Sequence, residues 1–309
     1  MTSDDAPALP GSLDEVPGWF EGNDQLVFEW ILEAQFSAGI GGDMVELGVY
    51  QGKSAVHMAR FLRAGESLTV CDLFEDINAA DGVPDHIREA YSSLSQAVFE
   101  RNYLAFHDEL PVIVRGRTDR IGGHVRTGSC RFVHIDASHR YDDVRRDIVA
   151  VRGLLGPGGV VALDDYRTEH TLGTAAAVWE AVANDGLHPI AATAKKSYAT
   201  WSDPAPMQEA LTRRLRRRAD LRPAVVPLRD GHVVHVAPRQ LTRSPPTARS
   251  PAARRSRLLV ALEQVGLALS DLGYRMVRLA RHDDPGASIR RSVGLRVDAV
   301  RSPRVRSRR

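Results

Sequence analysis

Residues 44–54, MVELGVYQGKS, decide how the rest of the chain is read. Met44, Val45, Leu47 and Val49 form an apolar run without helical period, with Gly41-Gly42 before it and Gly48 and Gly52 inside it. That pattern predicts a short buried parallel strand breaking at a glycine turn into a helix over 55–62. Glycine at 48 and 52 lets backbone approach a ligand closely. The spacing Glu46-x-Gly48-x-x-x-Gly52 differs from the G-x-G-x-x-G turn that seats a pyrophosphate, so a dinucleotide is the weaker reading and an NAD-dependent oxidoreductase is disfavoured. A purely structural turn is the other alternative, and the later motifs have to decide.

Outward from this turn, apolar strands alternate with helical stretches. Residues 67–74 read as a second strand ending at Asp72, where a carboxylate can accept both hydroxyls of an adenosine ribose. Residues 75–85 read as a loop and 87–106 as helical. A third strand over 111–118 carries Thr118 and Asp119 at its end. A fourth, 131–137, ends in Asp136, and a helix over 141–155 follows. Gly156 to Gly159 stop that helix, and a fifth strand delivers Asp164-Asp165-Tyr166. Neighbouring strand ends lie about 5 Å apart, so Asp136, Asp164 and Asp165 can converge on one cation. Oxygen ligands alone suit a hard ion such as Mg²⁺, which keeps exchangeable waters that a substrate oxygen can displace. The plainer alternative is that Asp164-Asp165 caps the next helix, but paired acids ending an apolar strand are costly without a counter-charge. His139 reads either as a general base or as a half-exposed histidine at a helix start, and His134 as a satisfied core residue. Arg167 and His170 follow in the next loop, within reach of a substrate.

These motifs together resemble the class I S-adenosylmethionine (SAM) methyltransferases, and within them the divalent-metal-dependent O-methyltransferases that act on catechols and macrolide sugars. Glu46, Tyr50 and Ser54 match SAM-contacting positions of the catechol enzymes, and Asp136-x-x-His139 followed by Asp164-Asp165 resembles their metal site. The resemblance spans about residues 16–238. It implies a Rossmann-like fold with a seven-stranded mixed sheet and helices on both faces. SAM would be bound through Glu46, Gly48, Tyr50, Gly52, Ser54, Asp72, Thr118, Asp119 and Asp136, and Mg²⁺ through Asp136, Asp164 and Asp165, with His139 as the base. The catechol enzymes have lysine at the His139 position and asparagine at the Asp165 position, whereas some sugar enzymes have the histidine. Others carry an acid where this chain has Ser138. The expected reaction is O-methylation of a small-molecule hydroxyl, on a sugar or polyphenol of a natural product. The alternative function is a non-catalytic protein that holds SAM or another adenosine ligand while a basic tail contacts a protein or nucleic acid.

Composition sets the outer limits. The chain has 309 residues, of which 43% are hydrophobic and 26% charged, enough for one α/β core with a segment left over. Its start lacks a basic region followed by an apolar run, and no stretch approaches ~18 uninterrupted apolar residues, so a cytoplasmic protein without a membrane span is expected. Cys71 and Cys130 are too few for a disulfide framework and read as core. Residues 25–36 predict an amphipathic helix capped by Asn23 or Asp24 and packed on the sheet, with a lid over the cofactor as the functional alternative. Further on, 174–184 read as a helix, 189–201 as a strand with its turn, and 232–237 as the closing strand.

The net charge of +2 conceals an asymmetry: residues 240–309 hold sixteen arginines against five acidic residues, leaving the body acidic. The expected organisation is a methyltransferase domain over 1–238, a Pro/Arg-rich linker over 239–256, and a basic amphipathic helix with a disordered tail over 257–309. That helix suits a homo-oligomer contact or packing on the body, with membrane-surface or anionic-ligand binding as the alternative. Nucleic acid is disfavoured as a partner, because the tail has one aromatic residue, Tyr274, and no lysine.

Overall fold

The structure, a computed structural model, describes residues 8–78, 88–89, 91, 93–228 and 231–238. The expected linker over 239–256 and the basic segment over 257–309 lie outside the described residues.

Five strands carry the first half: β1 (Asp43–Leu47), β2 (Leu68–Asp72), β3 (Val112–Arg115), β4 (Cys130–Ile135) and β5 (Leu155–Leu163). The helices are α1 (Gly22–Ser37), α2 (Lys53–Ala59), α3 (Gln96–Leu104), α4 (Tyr141–Leu154), α5 (Leu172–Asn184) and α6 (Ala205–Leu215). The second half adds β6 (His188–Ala192), β7 (Ser197–Thr200), β8 (Leu221–Leu228) and β9 (Gly231–Pro238). All nine join one sheet in the order β3-β2-β1-β4-β5-β7-β6-β9-β8. Strands β1 to β5 pair in parallel, β7 runs antiparallel to both β5 and β6, and β9 pairs parallel to β6. This is a Rossmann-like mixed α/β sheet with helices on both faces.

The expected seven strands are extended by a hairpin. The single strand expected over 189–201 is the β6–β7 pair, and β7 completes the seven. The strand expected to close the sheet, β9, lies beyond β6 and brings β8 with it. Pro223 and Pro227 argue against β8 in sequence, yet proline is tolerated on an edge strand, and β8 is the edge. Within the stretch expected to be helical over 87–106, residues 88–89 are helical and α3 begins anew after Ser95, which caps it by accepting from Val98 N at 3.2 Å. Similarly, α4 passes directly into β5, so Gly156 to Gly159 belong to a strand.

Period-two alternation builds the core. In β4, Phe132 faces one layer, with Phe28, Ile31, Met58 and Leu211, while Val133 and Ile135 face the other, with Val144, Ile148 and Val178. Helix α1 packs on the sheet as expected through Val27, Phe28, Ile31 and Leu32, but Phe36 is 66% exposed beside Arg63. Neither Asn23 nor Asp24 caps it. The N-cap is Glu21, and Asp24 is a buried acceptor for Thr193 Oγ1 at 2.7 Å and Tyr198 OH at 2.8 Å. Among the described residues no helix is long and apolar enough to cross a membrane.

At the amino end of the sheet a buried cation is held by one carboxylate. Arg131, 1% exposed, donates to Glu66, Phe61 O and Gln35 Oε1, and Arg63 also donates to Glu66. Burial would raise Glu66, but the two guanidiniums outweigh it and hold the carboxyl at about 2. Stability from this pairing is therefore present above the free value of 4.5 and lost as pH falls toward about 2. Glu66→Gln strands the Arg131 charge and should cost about 3–5 kcal/mol in urea unfolding at neutral pH. The same variant should show a flatter loss of stability between pH 4.5 and about 2; an unchanged midpoint would refute the role given to Glu66.

Candidate active site

The strand order reverses direction at β1, which lies between β2 and β4, and open α/β sheets bind ligands outside the carboxyl ends at such a switch point. The ladders continue one residue past the strands there: Gly48 N donates to Cys71 O at 2.8 Å, Asp136 N to Leu47 O at 2.7 Å and Asp164 N to Ile135 O at 3.0 Å. Gly48, Asp136 and Asp164 therefore stand in one row along the sheet edge.

The turn after β1 takes left-handed backbone at Gly48 (φ 81°), Tyr50 (φ 48°) and Gly52 (φ 95°). A Cβ on Gly48 would lie 2.1 Å from Asp136 O, and one on Gly52 would lie 2.9 Å from the Phe99 ring. The sequence reading attributed both glycines to ligand approach; on the side where a Cβ would project, the need comes from packing against the protein itself. Asp72, the expected ribose acid, pins this turn: Oδ2 accepts from Val49 N at 2.7 Å and Tyr50 N at 3.0 Å, and Oδ1 accepts from Phe74 N at 2.8 Å. Burial raises its pKa against these bonds.

Glu46 is fully buried and shared. Its Oε1 accepts from Ser54 Oγ and lies 2.7 Å from His134 Nδ1, while Oε2 has no partner. Thr118 and Asp119 point elsewhere: the Thr118 hydroxyl donates to Asp147 Oδ1 at 2.5 Å, and Asp119 is exposed, 3.9 Å from Arg117. Tyr50 joins Trp19 and Tyr91 in an aromatic group with centroids 5.3–6.3 Å apart. Burial raises the Tyr91 phenol, and the nearby charges of Asp136 and Asp72 raise it further, which places this group beside the acids.

Two sets of donors share Asp136: His134–Asp136–Asp164 on the inside, and Asp136–His139–Asp165 on the outside, with the donor atoms of each set within 4.8 Å of one another. The three expected ligands are thus divided between two groups. The inner one contains a residue the sequence reading missed. Lys196, fully buried on the turn before β7, donates to Asp164 Oδ2 and lies 3.3 Å from His134 Nε2. His134 therefore carries its proton on Nδ1, facing Glu46, and accepts from the ammonium at Nε2. Burial disfavours the Asp164 charge, but Lys196 overrides this and holds the carboxyl at about 2. Desolvation and the neighbouring charge of Asp164 push the half-buried Asp136 well above the usual carboxylate range. The signal for Lys196 was available: a lysine pair in an apolar stretch, and paired acids in need of a cation.

Asp165 has left-handed backbone (φ 53°), a conformation stabilised by Asp165 N donating to Asp164 Oδ1 at 2.7 Å. Its Oδ1 accepts from Thr168 Oγ1 at 2.7 Å, and its Oδ2 lies 3.2 Å from His139 Nε2. These bonds outweigh burial and lower its pKa. His139 is half-buried, with the exposed His170 ring 6.3 Å away.

Because three N–H groups converge on Asp72, Asp72→Asn presents an amide to donors and should lower stability by about 1–3 kcal/mol. A parental melting temperature for that variant would show that Asp72 does not hold the turn.

Residues 45–166 match the family model described as a methyltransferase domain. Among solved structures, the chain is similar to the O-methyltransferase NovP at 17% identity, covering 58% of this chain and 81% of that one with a TM-score of 0.47. It is also similar to a Corynebacterium glutamicum protein (14% identity, 61% and 84% covered, TM-score 0.44). A third is apo CalS11, a TDP-rhamnose 3′-O-methyltransferase of calicheamicin biosynthesis (16% identity, 62% and 85% covered, TM-score 0.41). No curated protein sequence matches the chain. The matched stretch runs from the strand before the glycine turn to the residue after the paired aspartates, so the part of the chain that is similar to a methyltransferase domain holds both the turn and the acids.

Proposed function

We propose that the protein transfers the methyl group of SAM to a hydroxyl of a small molecule, with Mg²⁺ assisting. The observation that carries this reading is Asp136: its carbonyl abuts Gly48 of the glycine turn, and its carboxylate belongs to both donor groups. The cofactor turn and the acids are thereby one site.

SAM supplies an electrophilic methyl on a sulfonium when bound. The residues fit it: Glu46 Oε2 is a buried acceptor without a partner, suited to an ammonium donor from the methionine part of the cofactor. Asp72, at the end of β2, is placed for the ribose if its carboxylate shares its acceptor capacity with the turn. A hard divalent ion fits Asp136 and Asp165, with Asp164 behind them, because it prefers oxygen donors. Such an ion would supply Lewis acidity that lowers the pKa of an acceptor hydroxyl. His139 then stays free for the proton, and Asp165 orients its ring and stabilises the imidazolium, as a carboxylate does for a catalytic histidine. Trp19, Tyr50 and Tyr91 offer ring faces to a sugar or polyphenol acceptor.

Calorimetry with SAM and with NAD tests the cofactor: binding of NAD and not SAM would sink the reading. For the reaction, candidate sugars and catechols are incubated with SAM and Mg²⁺ and the products weighed by mass spectrometry. Turnover should stop with a chelator and return with Mg²⁺; full activity in excess chelator would remove the cation from the proposal and leave the methyl transfer. His139→Ala should bind SAM normally and lose about 10²- to 10⁴-fold in rate. A variant with the parental rate would pass the proton to another group, with His170 first in line.

A further inference from the structure

The acidic edge has more carboxylates than the proposed metal site needs, and one ammonium lies among them. Lys196 Nζ bonds Asp164 Oδ2, lies 3.3 Å from His134 Nε2, and stands 5.7 Å from the centre of the Phe20 ring. The charged groups that face it come from separate elements: Asp24 on α1, Asp136 beyond β4 and Asp164 beyond β5. Asp24 does not bond the ammonium; its Oδ1 is taken by Thr193 and Tyr198, which fix the turn and strand on either side of Lys196. The lysine thus touches two members of the inner donor group, His134 and Asp164. Among the described residues, no lysine is in bonding distance of the outer group, Asp136, His139 and Asp165.

We infer that the Lys196 ammonium is the resident counter-ion of the acidic cluster. It balances Asp164 in the absence of metal and holds the cation affinity of the Asp136 and Asp165 carboxylates low until a substrate oxygen completes the coordination. The inference rests on the cation site proposed above. Its physical basis is that a fixed positive charge within a few ångströms opposes a second cation strongly in a desolvated setting. It also withdraws Asp164 Oδ2 from coordination, leaving Asp164 Oδ1, already accepting from Asp165 N, as its remaining donor. Lys196 is accordingly a positioning residue: it acts on the reaction through Asp164 and the cation.

The test is Mn²⁺ binding to the full-length protein without acceptor, read by the loss of the free-ion paramagnetic resonance signal, in the parent and in Lys196→Gln and Lys196→Arg. The parent should bind more weakly than about 100 μM, as a hard-cation site left incomplete without substrate oxygens does. Lys196→Gln should bind more than about tenfold tighter and gain melting temperature on adding Mn²⁺, whereas Lys196→Arg should stay close to the parent. Equal affinity in the parent and Lys196→Gln would overturn the inference and leave the cation proposal standing. Absence of Mn²⁺ binding in all three would overturn both, while SAM calorimetry on the same samples reports separately on the methyltransferase reading. If Lys196→Gln folds only with Mn²⁺ present, a metal ion has replaced the lysine, as inferred. If it does not fold at all, the parent decides: micromolar Mn²⁺ binding there would refute the claim that Lys196 keeps the site weak.

Discussion

Everything at this site depends on the contact between Gly48 and the backbone of Asp136. The parallel pairing of β1 with β4 brings the two chain segments together just past their carboxyl ends, where a Cβ on residue 48 would lie 2.1 Å from the Asp136 carbonyl oxygen. That approach sets the height of the glycine turn against the acidic edge. Under the proposed function, the distance between a cofactor at the turn and an acceptor at the acids would be set by two strands of the sheet, not by mobile side chains. Rigid positioning of two reactants removes a large part of the barrier to a bimolecular displacement.

The second constraint is electrostatic. Glu46, Asp24, Asp72, Asp136 and Asp164 gather at or below one sheet edge, and water cannot solvate them all. The chain answers with one lysine, with histidines on either side of Asp136, and with backbone N–H groups. Asp72 is satisfied by three amides, Asp165 by Thr168 and His139, and Asp164 by Lys196. Burial raises Asp24 and Asp72, and Asp136, desolvated beside the charge of Asp164, is pushed well above the usual carboxylate range.

Much of this was legible in sequence, because it is local. The run Met44–Val49, the acids ending β2, β4 and β5, and the period of α4 each lie within a dozen residues and obey simple spacing rules. What escaped depends on distant partners. Asp24 reads as a helix cap until Thr193 and Tyr198 arrive from the other half of the chain. The glycines read as ligand-facing because neither Asp136 O nor the Phe99 ring can be inferred from residues 48–52. The second face of Thr118 is hidden for the same reason, since its acceptor is on α4. Strand β8 escaped for a different cause: its two prolines obey an edge-strand exception that becomes visible only once the sheet order is known.

The β6–β7 hairpin has a consequence for modularity. The stretch that carries the methyltransferase signature ends at residue 166, but the ammonium that balances its paired aspartates is at 196 and the buried acid facing that ammonium is at 24. A fragment cut to the signature would keep Glu46, Asp72, Asp136, Asp164 and Asp165 and lose both the lysine and Asp24. The smallest autonomous unit of this site is therefore wider than its most recognisable part. It begins no later than α1 and extends at least through β7, so grafting or recombining the signature alone would transfer the acidic edge without the means to bury it.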